Sequence, residues 1–173
     1  MGVASQAAKR LCAGLREAGV DVTEPDLVDL AALAVPLAAR FAPGPEGGPP
    51  GRPDRLLERA FDLVCGPGLL MVASPTFKGA YSGLLKVFAD QVPREGLGPG
   101  VVAVPLMTAG WESHQTGPEA ALRSLLAELG APVPAPGLTV LEAEFADLDA
   151  VLGPWAARTV PVVAALLAAV PGR

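Results

Sequence analysis

The stretch that decides the fold is Gly68-Leu-Leu-Met-Val-Ala-Ser-Pro-Thr-Phe-Lys-Gly-Ala-Tyr-Ser-Gly-Leu-Leu-Lys86, GLLMVASPTFKGAYSGLLK. Its first part, Leu69 to Ala73, is apolar without alternation, the pattern of a parallel strand covered on both faces. Small and polar residues follow, Ser74 to Ala80, and a helical pattern begins at Tyr81 and runs to Val92. Strand, short loop and helix in that order make half of a βαβ unit.

The same grammar extends in both directions. Upstream, Val3 to Ala18 carries apolar residues at a helical period and stops at Gly19. Asp21 to Leu30 reads as a strand broken by Pro25, with Leu27 to Leu30 its ordered part. The cluster APGPEGGPPGRP from residue 42 to Pro53 supports neither helix nor strand and reads as an exposed loop. Asp54 is placed as an N-cap for a helix whose apolar face holds Leu56, Leu57, Ala60, Phe61 and Val64. Downstream come a strand Val101 to Met107, a helix Pro118 to Leu129, a strand Leu138 to Glu142 and a helix from Asp147 to Ala169, with Pro154 and Pro161 as expected breaks. The fold class is therefore α/β, a doubly wound parallel sheet in three layers. With 173 residues the chain is expected to form a single domain, 1–173.

Composition excludes several classes of function. The net charge is −5 and there is one histidine, so the clustered cations of a nucleic-acid binder are missing. Cys12 and Cys65 lie far apart, without the spacing of a zinc or redox pair, and read as buried thiols. The N-terminus has no apolar segment of signal-peptide length. The run Val160 to Val170, bracketed by Pro161 and Pro171, is too short to span a bilayer. A soluble, cytoplasmic protein without a membrane partner is expected. Apolar residues reach 51% with few aromatics, which suits a chain that buries surface in an oligomer.

In open parallel sheets, ligands bind beyond the carboxyl ends of the strands, so the informative residues are those just after each strand. Ser74-Pro-Thr-Phe-Lys-Gly-Ala80 offers hydroxyls, backbone N–H groups and one aromatic. Thr108-Ala-Gly-Trp-Glu-Ser-His114 does the same after the next strand. Two such loops make a polar-lipped crevice suited to a planar ring edged with carbonyls and N–H groups, with Phe77 or Trp111 against a face. Each residue also has a plainer role. Ser74-Pro75 is equally a turn starter. Lys78 reads first as a solvated charge, and Tyr81 as a core or interface aromatic. His114 has no Cys/His companions for a metal. Glu112, Ser113 and His114, as neighbours in a loop, do not form a hydrolytic constellation. No catalytic acid or base is assigned.

The segment Ala73 to Lys86, with Asp90, Val92-Pro93, the strand Val101 to Pro105 and Thr108-Ala-Gly110 to His114, resembles the NAD(P)H-dependent FMN reductases. The likeness is greatest to the alkanesulfonate-associated members, whose loop reads Thr/Ser-Pro-x-Tyr-Lys-x-x-Tyr-Ser-Gly-x-x-Lys. The resemblance implies a flavodoxin-like fold, FMN as cofactor and NAD(P)H as hydride donor. It also implies a homodimer or homotetramer and a flavin-dependent monooxygenase that receives reduced FMN. By position it implies flavin contacts from Ser74, Pro75, Thr76, Phe77 and Lys78, from Tyr81 and Ser82, and from Thr108, Ala109, Gly110 and His114. Phe77 stands where the family has Tyr. Family members open with a buried strand and a phosphate-binding loop, whereas Met1-Gly-Val-Ala-Ser5 leads straight into a helix. A sheet without its first strand, and weak FMN binding, are expected on that comparison. Two other readings stay open: a quinone or azo reductase with bound FMN, and a non-catalytic flavodoxin-like oligomerisation module.

Overall fold

The computed structural model describes residues 2–41, 54–66, 68–98, 100–114 and 116–169. In chain order the elements are α1 (Val3–Glu17), α2 (Ala34–Ala39), α3 (Arg55–Cys65), β1 (Gly68–Pro75), α4 (Gly83–Ala89), β2 (Val101–Ala109), α5 (Gly117–Glu128), β3 (Leu138–Leu141) and α6 (Leu148–Ala169). The strands form one parallel sheet in the order β1-β2-β3. The expected α/β, three-layer architecture with a parallel sheet is the one observed; among the described residues the strands run in sequential order, without the reversal of a doubly wound sheet.

Alternation along each strand divides the core in two. Val102, Val104 and Leu106 of β2 point to one face, where they meet Ala7, Leu11 and Leu15 of α1 and Leu152, Trp155, Val163 and Leu167 of α6. Val101, Ala103 and Met107 point to the other, against Leu37 of α2, Leu57 and Ala60 of α3, Leu85 and Phe88 of α4, and Leu122 and Leu126 of α5. With both faces covered, β2 is buried almost throughout. This is why its sequence, like that of β1, is apolar without alternation.

β1 differs from the expectation in one respect. Leu69 to Val72 are half-buried and Ala73 is exposed, because β1 is at the sheet edge and pairs with β2 alone among the described residues. The expected strand over Asp21 to Leu30 is not formed. Val20 and Val22 pack on the α1/α6 side and Val28 and Leu30 on the opposite side, so the segment passes from one face to the other. Its polar groups bond locally instead: Arg16 Nε donates to the Val22 carbonyl at 3.0 Å, Arg16 pairs with Glu24 at 2.9 Å, and Asp29 Oδ1 accepts from Ala31 N–H at 2.9 Å. Leu27, placed in the ordered half of that strand, is 78% exposed. The Pro/Gly loop of residues 42–53 lies outside the described residues.

Two local arrangements set the packing. Asp54 caps α3 as expected, accepting from Leu56 and Leu57 N–H at 2.8 and 3.3 Å. Ahead of β3, Arg123 donates to the carbonyls of Val133 at 2.9 Å and Ala135 at 2.7 Å while pairing with Glu119 at 2.8 Å, and Glu119 accepts from Gly137 N–H at 2.9 Å. The bonds tie the 130–137 connection to α5 and aim β3 along β2.

Pro154 and Pro161 do not break α6, which runs 22 residues through both. Each proline lies on the exposed side, as do Ala150 and Ala157, whose carbonyls lose their helical donor. Water can satisfy those carbonyls, while the buried face is unaltered. By length and composition α6 is the one helix among the described residues apolar enough to cross a membrane, a test that the core helix of a soluble protein also passes. Its buried residues pack on α1 and the sheet, as in a core helix. α1 packs tightly on α6 at Gly14, where an added Cβ would lie 2.7 Å from Val160 Cγ2.

Alanine at an open helix position gains roughly 1 kcal/mol over glycine, but forcing a methyl into a packed contact costs about 1–3 kcal/mol. Val160 is stiff at χ1, so the clash prevails. Gly14→Ala is expected to lower stability by about 1 kcal/mol in urea unfolding, and to become neutral or stabilising when combined with Val160→Ala.

Candidate functional site

Parallel register carries β1 and β2 to the same end. Pro75 pairs opposite Thr108, and Thr76 N–H donates to the Thr108 carbonyl at 2.8 Å as the strands finish. β3 ends beside β2, with Leu141 opposite Ala109. The loops after all three strands therefore open onto one edge, as the strand-end rule requires.

The first loop is a tight hairpin. Phe77 and Ala80 exchange both backbone bonds, at 2.8 and 3.1 Å, and the two residues between them have positive φ, 53° at Lys78 and 81° at Gly79. That is the signature of a type I′ turn. Glycine takes this conformation freely, whereas Lys78 holds it at a cost of about 1–2 kcal/mol. The base of the hairpin is tied by Ser74, which is 3% exposed. Its Oγ donates to the Pro75 carbonyl at 2.9 Å and accepts from Ser82 N–H at 2.8 Å. Ser82 in turn caps α4, accepting from Leu85 N–H at 3.2 Å. Strand end, hairpin and helix start thus form one hydrogen-bonded unit.

The second loop leaves β2 at Gly110 and turns through a short 3₁₀ segment, Glu112–His114, with His114 N–H donating to the Trp111 carbonyl at 3.0 Å. The third begins with another 3₁₀ turn, Glu142–Glu144, whose Glu144 Oε2 accepts from Leu141 N–H at 2.7 Å. Together they enclose an open cavity of about 570 Å³ lined by Thr76, Phe77, Lys78, Gly110, Trp111, His114 and Glu142. Its two aromatic side chains are unusually bare for apolar groups, Phe77 at 60% and Trp111 at 73% exposure. Thr76 Oγ1 is buried with no hydrogen-bond partner in the protein.

Of the residues singled out from the sequence, the cavity brings together Thr76, Phe77, Lys78, Gly110, Trp111 and His114. Ser74 is in the wall behind it, with its hydroxyl used internally. Pro75 is at the end of β1, and Tyr81 and Ser82 are half-buried between the hairpin and α4. Thr108 and Ala109 finish β2, the latter buried. Glu142 escaped the sequence reading. The signal that finds it is the strand-end rule applied to the third strand as well as to the first two.

Neither cysteine lines the cavity, and both thiols are free. Burial pushes the Cys12 thiol up; Arg16 opposes this and Glu24 reinforces it. Burial, aided by Asp62, also raises Cys65. Both stay protonated at neutral pH, the form that is not nucleophilic.

A doubly wound parallel sheet with a crevice at its carboxyl edge defines the flavodoxin-like class. The chain superposes on a flavodoxin from the Archaea with a TM-score of 0.54 at 16% identity, over 96% of this chain and 92% of that one. An oxidoreductase of Corynebacterium diphtheriae superposes with a TM-score of 0.76 at 23% identity, covering 94% of this chain and 85% of the other. Within that class, residues 2–145 match the family described as NADPH-dependent FMN reductase, and the chain belongs to that family. An FMN reductase (NADPH) of Escherichia coli K12 is 38% identical over 78 residues, which span 45% of this chain and 37% of the relative.

The cavity fits the ring of FMN on three grounds seen in this chain. It has the size of a small-molecule site. Its exposed aromatic faces and the orphan hydroxyl of Thr76 match a flat ring with a polar rim.

Removing the Ser74 hydroxyl strands the Ser82 N–H, a loss of about 1–3 kcal/mol. Ser74→Ala is expected to lower stability by that amount. It should also speed hydrogen exchange at Ser82 and in the hairpin 76–80; unchanged exchange there would show the loop held by other means.

Proposed function

We propose that this chain is an NADPH-dependent FMN reductase, a single-domain enzyme whose flavin ring binds in the cavity between the loops of β1 and β2. The observation that carries the reading is the convergence of Thr76, Phe77, Lys78, Gly110, Trp111 and His114 on one cavity at the carboxyl edge of a flavodoxin-like sheet. Family membership and the likeness to the FMN reductase (NADPH) of Escherichia coli support it.

When bound, FMN supplies the redox chemistry by accepting a hydride from the nicotinamide. The protein's part is placement. Phe77 and Trp111 offer faces for stacking, and the Thr76 hydroxyl offers a hydrogen bond to the ring's polar rim. The rigid Phe77–Ala80 hairpin keeps one wall of the site fixed, so that a nicotinamide and the flavin meet in a set geometry. No side chain needs to act as acid or base. The open mouth of the cavity suits a flavin that leaves after reduction, for a flavin-dependent monooxygenase.

The exposed side chains of Val35, Phe41, Leu56 and Leu63, on or beside α2 and α3, support a homo-oligomer, dimer or tetramer. The two free thiols fit the reducing conditions of the cytoplasm.

Steady-state oxidation of NADPH is expected to depend on added free FMN, with reduced flavin passed on to an external acceptor such as cytochrome c. NADPH oxidation that is indifferent to FMN, or absent at saturating FMN, would overturn the reading.

A further inference from the structure

We propose that Glu142 is a potential-setting residue of the flavin site, whose carboxylate weakens the hold on the reduced, anionic flavin relative to the oxidised one. The inference rests on the placement of FMN in the cavity proposed above and adds a role for a residue in the loop after β3.

Glu142 and Glu144 share one 3₁₀ turn but differ in use. The Glu144 carboxylate is tied to Leu141 N–H at 2.7 Å and holds the turn. The Glu142 carboxylate lines the cavity, with its Cδ and both oxygens 3.7 Å from where a Cβ on Gly110 would stand. Three titratable side chains border the cavity: Glu142, Lys78 and His114. Lys78 is the cation among them, carried by the hairpin after β1, and Glu142 the anion, carried by the turn after β3.

Reduction changes the charge of what lies between them. NADPH delivers two electrons and one proton as a hydride and leaves as NADP⁺. The ring thereby gains one negative charge, until a further proton comes from water. A carboxylate bordering the cavity repels that charge and leaves the neutral oxidised ring almost unaffected. Lys78 opposes the effect, so Glu142 tunes the balance between the two forms. Site exposure limits the size, since water screens the pair.

The test measures dissociation constants of the intact chain for oxidised and reduced FMN, with the midpoint potential of the bound flavin. Glu142→Gln is expected to tighten the reduced form about tenfold relative to the oxidised form. That raises the potential by about 30 mV for a two-electron couple. Glu142→Asp keeps the charge and should leave the ratio near that of the unaltered chain. The gap between Gln and Glu should also shrink at 1 M salt. Equal ratios in the two proteins, with FMN bound by both, would overturn this proposal and leave the site assignment standing. Failure of the unaltered chain to bind FMN at all would overturn both.

Discussion

The parallel register of β1 on β2 is the constraint on which the site depends. Eight successive residue pairs, from Gly68 opposite Val101 to Pro75 opposite Thr108, bring the two strands to a common end. β3 joins the same end through four pairs of its own, from Leu106 opposite Leu138 to Ala109 opposite Leu141. Because the strands are parallel, every loop that follows one opens onto one edge, and polar residues distant in sequence meet there. Thr76, Gly110 and Glu142 come from three different loops. A slip of one residue would exchange the two core faces of a strand and would dissolve this meeting as well as the packing on both sides.

Ser74 converts that register into a rigid site. It is one of two buried polar side chains among the described residues, and its hydroxyl both donates and accepts within the loop it begins. The Lys78 backbone is held in a left-handed conformation at some cost, within a hairpin fastened by two backbone bonds. Strain kept in a loop by surrounding bonds fits the pre-organised site proposed for it. An open, pre-shaped cavity is what a reductase requires if its flavin arrives and leaves as a substrate.

Much of this was legible in the sequence, for physical reasons that differ by element. The apolar run Leu69 to Ala73, the Asp54 cap and the helical periods of α1, α3 and α5 are local signals, and the structure agrees with them within a residue or two. The loops Ser74 to Ala80 and Thr108 to His114 were identifiable because strand ends carry ligands in parallel sheets. The misreadings depend on context. Asp21 to Leu30 has strand-like residues but no ladder to join. Pro154 and Pro161 read as helix breaks because the sequence does not show that both face water. Half-burial of β1 depends on sheet order, and the placement of Glu142 at the cavity depends on β3 lying beside β2.

The central claim, that flavin binds between the loops after β1 and β2, is tested most directly by hydrogen exchange of the intact chain with and without FMN. The account predicts slower exchange at residues 76–80 and 110–114, with α1 and α6 unchanged. Slowing confined to a second cavity, between α1 and α6 and lined by Gly14 and Gly153, or no slowing anywhere at saturating FMN, would contradict it.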